Sequence, residues 1–265
     1  MSFFRTFPTF PTSLMTNHTA SENVQIIDTA FYIPTLDRTR RIWLYLPKGY
    51  EGSKKRFPVL YMHDGQNLFD EATSYSGEWK VDEILDNMPL ACIVIGIDNG
   101  QDKRMNEYNP NDTEQFGKGE GLLYLEFIVK TLKPYIDKKY RTLRSKKNTL
   151  MAGSSMGGLI TFYAGLYYPK VFGKLGILSP SFWVSPNISN QIKQLAKPRT
   201  HSGQKYFFYG GGSENQSMVS DMARVYDLMN KNAKAKMEIV VWPEGMHNEI
   251  TWSSIFPVFY NWIIQ

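Results

Sequence analysis

A strand-like pentapeptide, Asn148-Thr149-Leu150-Met151-Ala152, runs through Gly153-Ser154-Ser155-Met156-Gly157 into an apolar stretch, residues 158–168, which Pro169 stops. No other segment constrains the fold as tightly. A short buried strand, a sharp turn and a helix in immediate succession satisfy the pattern G-x-S-x-G, whose glycines leave room for a strained backbone and close packing around the central serine. Register selects the serine. Centring the pattern on Ser154 would put Ala152 and Met156 where the glycines belong, so Ser155 is the candidate nucleophile. A Gly/Ser turn without chemistry is the bland alternative, and only the surrounding residues can decide against it.

From Val24 onward, strand-like and helix-like runs alternate. Candidate strands are 24–32, 41–46, 59–63, 92–97, 149–152, 175–178, 206–209 and 237–242; candidate helices are 78–87, 122–139, 158–168, 217–230 and 253–264. This alternation predicts an α/β fold with a mainly parallel eight-stranded sheet and helices on both faces. Only the short segment 34–39 separates the first two strands, which predicts an antiparallel hairpin at one edge. At 265 residues, 42% of them hydrophobic, the chain can build one large domain over 23–265, preceded by a tail or arm, 1–22, whose phenylalanines could lie on another surface. Two irregular stretches, 98–121 and 179–204, follow strands and belong at the carboxyl edge of the sheet, where α/β proteins bind ligands. Neither is long enough for a separate lid domain.

Several function classes drop out. The 30 basic and 25 acidic residues leave a net charge of +5, dispersed and not interleaved with aromatics, so no nucleic-acid surface is expected. The single cysteine, Cys92, lies in an apolar run and excludes an intrachain disulfide. No apolar stretch is long enough for a membrane helix, and the N-terminus, broken by Pro8 and Pro11, offers no clean apolar core of an export signal; a cytoplasmic location is the expectation. Gly117-Lys118-Gly119-Glu120-Gly121 lacks a preceding strand and reads as flexible loop, not as a dinucleotide fingerprint. No metal-ligand or nucleotide motif is present, so neither metal nor cofactor is expected.

A serine nucleophile needs a base, and the base needs an orienting carboxylate, in the chain order Ser, acid, His after a G-x-S-x-G elbow. Only His201 and His247 follow Ser155. His247, in the turn Pro243-Glu244-Gly245-Met246-His247 beyond the last strand, is the candidate base; His201 lies in a polar loop before a strand. Glu214, just after the strand 206–209, is the candidate acid, with Asp221 its competitor on the next helix. The oxyanion requires backbone donors: the Met156 amide, and a second from His63-Asp64-Gly65-Gln66-Asn67, where Gly65 permits close approach and the Gln66 amide is the candidate, Asn67 next. As a main-chain donor, Gln66 needs no particular side chain. His63 and Asp64 precede Ser155 and are expected to brace this loop.

Together these residues resemble the esterase family of α/β-hydrolases that includes feruloyl and acetyl-xylan esterases, S-formylglutathione hydrolase, siderophore esterases and mycolyltransferases. The resemblance runs from Val24 to the C-terminus. It rests on Tyr61-Met62-His63-Asp64-Gly65-Gln66-Asn67-Leu68-Phe69, Gly96-Ile97-Asp98-Asn99-Gly100 with Arg104 and Glu107-Tyr108, residues 153–158, Leu178-Ser179-Pro180-Ser181-Phe182-Trp183, and Gly245-Met246-His247. It implies an α/β-hydrolase fold, a Ser155–Glu214–His247 triad, an oxyanion hole from Gln66 and Met156, and Trp183 bordering the substrate pocket; core packing is the competing role for Trp183. Arg104 and Glu107 are expected to form an ion pair that holds their loop, a substrate clamp being the competing role. The activity implied is cofactor-independent hydrolysis of a small-molecule or carbohydrate carboxylic ester, acetyl and feruloyl esters being candidates. An acyltransferase or siderophore esterase on the same triad, and a non-catalytic ligand-binding protein on this scaffold, are the alternatives.

Overall fold

The computed structural model describes residues 18–265 except Ala91 and Gln216. The eight strands are β1 (Val24–Ile33), β2 (Arg38–Tyr45), β3 (Val59–His63), β4 (Ile93–Ile97), β5 (Thr149–Ser154), β6 (Lys174–Leu178), β7 (Lys205–Gly211) and β8 (Lys236–Trp242). They form one sheet in the order β1-β2-β4-β3-β5-β6-β7-β8. The β1–β2 and β2–β4 pairs are antiparallel and all the others parallel, so the expected hairpin does occupy one edge. In β3 and β4 every residue is buried, as expected of parallel strands covered on both faces.

Successive side chains along each strand feed opposite apolar layers. Tyr61, Met151, Tyr206 and Phe208 enter one; Leu60, Met62, Leu150, Phe207 and Tyr209 enter the other. Helices α1 (Val81–Asp86) and α9 (Glu249–Ile264) cover the second layer. Over the first lie α3 (Gly121–Phe127), which continues through a π-helical turn into α4 (Lys133–Lys139), together with α5 (Met156–Tyr167), α6 (Ile188–Leu195) and α8 (Met218–Asn232). The short helices α2 (Arg104–Glu107) and α7 (Pro198–His201) complete the set among the described residues.

The two stretches expected to be irregular hold α2, α6 and α7. These helices have eight residues or fewer, too short for a helical period to stand out from their polar surroundings. Helix α9 begins four residues before its expected start at Ser253, because the Asn248 side chain caps it by accepting from Thr251 N–H at 2.9 Å. The Gly117–Gly121 segment is no flexible loop: Glu120 N–H donates to Asn106 O at 2.8 Å, Gly121 N–H to Asn109 O at 2.9 Å, and the Glu120 carboxylate pairs with Arg38. The phenylalanines of the expected arm lie outside the described residues. Residues 18–23 run across α1 and the loop before it: Thr19 Oγ1 donates to Glu78, Ser21 N–H to Asp82 and Asn23 Nδ2 to Asp86.

Candidate active site

Where β5 turns into α5, Ser155 holds φ 57° and ψ −122°, a conformation that a residue with a Cβ adopts only under constraint. Close approach supplies the constraint. A Cβ on Gly153 would lie 2.8 Å from the Gly157 carbonyl carbon, and one on Gly158 would lie 2.8 Å from Leu178 O. Ser155 N–H donates to Leu178 O at 3.0 Å and Ser181 N–H to Ser155 O at 3.1 Å, which ties the elbow to the end of β6. The Ser155 hydroxyl rests 3.2 Å from Ser181 Oγ.

The turn after β8 brings His247 to the same edge of the sheet, with Nδ1 2.6 Å from Glu214 Oε2. Glu214 follows β7; its side chain is fully buried, whereas that of His247 is 37% exposed. Glu214 Oε1 accepts from Gly211 N–H at 2.7 Å and from Ser179 Oγ at 2.6 Å. Ser179 Oγ in turn accepts from Trp252 Nε1 at 2.9 Å, and the Trp252 ring stands edge-on to the imidazole, centroids 4.9 Å apart. A buried carboxylate with donors on both oxygens and an indole against the ring thus fix the imidazole plane. Ser155 and His247 line one cavity of about 520 Å³, with Gln66, Asn67, Arg104 and Glu249 among its walls.

After β3, Asp64 takes a left-handed conformation (φ 56°, ψ 49°) and opens a 3₁₀ turn, Gly65–Asn67. A Cβ at Gly65 would lie 2.8 Å from Gly96 C and Ile97 N, so only glycine lets this loop pass β4. Met156 starts α5, and first-turn amides have no partner within a helix. The Gln66 side chain is not immaterial, as main-chain chemistry alone suggested: its Oε1 accepts from Asn99 N–H at 3.2 Å, joining the loops after β3 and β4.

His63 is buried, with Nδ1 3.0 Å from Tyr124 OH, and burial pushes its pKa down to about 4. Asp64 accepts from Arg104 Nε at 2.7 Å, Arg104 Nη2 at 2.9 Å and Asn99 Nδ2 at 2.7 Å. Burial works to raise this carboxyl, but Arg104 and Asn99 outweigh it and hold it below its ordinary value. The expected Arg104–Glu107 pair is therefore corrected. Glu107, fully buried, pairs instead with Arg38 at 2.9 Å and Arg40 at 2.6 Å, because β2 presents two guanidiniums to it in the interior.

Trp183 lies outside the wall of the serine cavity. Half exposed, it meets Phe116 edge-on at 6.1 Å and lines a neighbouring depression with Thr113, Glu114 and Pro186. The two competitors stand elsewhere: His201 is buried against the Lys197 backbone, and Asp221 pairs with Arg224 on α8. Sequence reasoning missed Ser179, Ser181 and Trp252. The first two stood within a recognised segment, but nothing in the local pattern says that they face Glu214 and Ser155. Among the described residues, one group of three carboxylates, Glu78, Asp82 and Glu83, lies close enough to hold an ion; Glu78 and Asp82 also take up Thr19 and Ser21.

Residues 33–247 match the profile of the family described as Putative esterase. The chain belongs to that family. It is accordingly an ester hydrolase of the serine hydrolase class. Uncharacterized protein YbbA of Bacillus subtilis (strain 168) is 30% identical over 206 residues, 74% of this chain and 79% of that protein. The endo-1,4-beta-xylanase/feruloyl esterase of Xylanibacter ruminicola is 27% identical over 243 residues, 87% of this chain but only 30% of that longer protein. Among solved structures, the BES protein from Bacillus cereus superposes with a TM-score of 0.72 at 15% identity, covering 100% of both chains; this likeness concerns the fold. No described helix is long and apolar enough to cross a membrane.

Proposed function

We propose that this esterase hydrolyses carboxylic esters through an acyl-enzyme on Ser155, with His247 as base and Glu214 as orienting acid. The observation that carries the reading is the 2.6 Å contact between Glu214 and His247 Nδ1, in a cavity that also holds Ser155 on a strained elbow. Glu214 holds the ring in the tautomer that presents Nε2 to the cavity. The Ser155 hydroxyl turns from Ser181 towards Nε2, gives up its proton and attacks the ester carbonyl. The developing oxyanion takes hydrogen bonds from the Met156 and Gln66 amides. His247 then protonates the departing alcohol, and water repeats the sequence on the acyl-enzyme.

The cavity walls support one substrate class. Gln66, Asn67, Asn99, Gln101 and Arg104 make them polar, which suits a hydroxyl-rich alcohol better than a lipid, and a carbohydrate acetyl or feruloyl ester fits this lining. In this reading Trp183 serves as an outer contact beyond the cavity rim. A fluorophosphonate probe tests the nucleophile: wild type is labelled and Ser155→Ala is not, and equal labelling of the two would sink the assignment. Initial rates on 4-nitrophenyl acetate, methyl ferulate and acetylated xylan test the substrate class.

A further inference from the structure

Glu249 is the first residue of α9, two positions beyond His247, and is buried in the wall of the serine cavity. Burial raises its carboxyl above the ordinary value, and Asp64 repels it. The helix N-terminus offsets part of that cost. Its Oε1 accepts from Asn67 Nδ2 at 3.2 Å, a contact between positions 182 apart in sequence. Asn67 belongs to the same 3₁₀ turn as Gln66, and its amide is committed on both sides, since Oδ1 accepts from Tyr75 N–H at 3.1 Å.

The backbone around His247 is equally tied to α9. Met246 N–H donates to Thr251 Oγ1 at 3.3 Å, and Asn248 Oδ1 accepts from Thr251 N–H at 2.9 Å. Whatever anchors the start of α9 therefore anchors the imidazole. We propose that Glu249 is a positioning residue that, through Asn67, locks the loop carrying the Gln66 amide to the helix end carrying His247. Among the described residues the Asn67–Glu249 contact is the one hydrogen bond that joins the Gly65–Asn67 turn directly to the start of α9, and without it the two segments can drift relative to one another. Such a drift of about 1 Å is enough to cost on the order of 10²-fold in rate.

The role rests on the reading of Gln66 and His247 given above, and the test separates the two. Kinetics on 4-nitrophenyl acetate are measured for wild type, Glu249→Ala, Glu249→Gln, Asn67→Ala and the double Ala variant, with fluorophosphonate labelling of wild type alongside. Glu249→Ala is expected to lower kcat by about ten- to a hundredfold with little change in KM. Glu249→Gln, whose amide oxygen accepts the same bond, restores kcat, and the double variant is no worse than either single one. Wild-type kcat in Glu249→Ala, a loss in KM alone, no rescue by Gln, or losses that multiply in the double variant would each overturn the role. Should the Ala variant fail to fold, Glu249→Gln and Asn67→Ala still decide it: a wild-type kcat in Asn67→Ala overturns the lock. Absence of wild-type labelling removes the serine reading and the positioning role with it.

Discussion

Ser155 could be chosen from its neighbours because the elbow is a local device: the glycines that permit it are two residues away. Its φ of 57° and the 2.8 Å clearance at Gly153 are the physical content of that five-residue pattern. With the hydroxyl gone, Ser155→Ala is expected to lose on the order of 10⁶ in kcat. Glu214→Gln should lose on the order of 10⁴, since it disturbs the tautomer and charge while leaving the proposed nucleophile in place. Ser179→Ala leaves Glu214 Oε1 with one donor fewer and the Trp252 N–H without its acceptor; kcat is expected to fall about tenfold, in steady-state assays that show whether KM holds. Ser179 was not legible beforehand because its partners, Glu214 and Trp252, stand 35 and 73 positions along the chain.

At the scale of elements, the long runs were legible and the short ones were not. Fully buried strands such as β3 and β4 announce themselves by largely apolar sequence, whereas α2 is a single turn whose residues serve ion pairs. The Arg104–Glu107 expectation failed for that reason. Spacing along one turn brings two side chains near, but the buried Glu107 is satisfied by β2 and Arg104 by Asp64. Gly65 tests how elements hold the site. A methyl there meets the β4 backbone at 2.8 Å and must displace the turn that carries Gln66. Gly65→Ala is expected to lower kcat by roughly 10²-fold and to lower Tm, read by steady-state kinetics and thermal unfolding.

Across the whole molecule, residues 18–23 lie over α1 and the loop before it, and a neutral histidine is kept beneath the loops of the candidate site. Thr19→Ala takes the hydroxyl donor from Glu78 and the acceptor from Glu71 N–H and is expected to cost on the order of 1 kcal/mol, measurable as a lower urea midpoint. His63 makes stability pH-dependent. Its folded pKa of about 4 lies below the unfolded 6.5, so its contribution is complete above 6.5 and fades as pH falls towards 4. From pH 7 to pH 4.5 that is a loss on the order of 2–3 kcal/mol. His63→Phe should flatten this part of the urea-denaturation profile, and an unchanged slope would count against the assignment. Periodicity, the G-x-S-x-G elbow and the chain order Ser, acid, His sufficed for the sheet, its hairpin edge, and Ser155, Glu214 and His247 as candidates, because the strand, helix and elbow signals are local and the order is read directly along the chain. The tertiary structure alone decided that Ser179 and Trp252 brace Glu214, that Asn67 meets Glu249 and that Trp183 stands outside the cavity. Those contacts join distant positions, and no local pattern encodes which side chains the folded sheet will bring face to face.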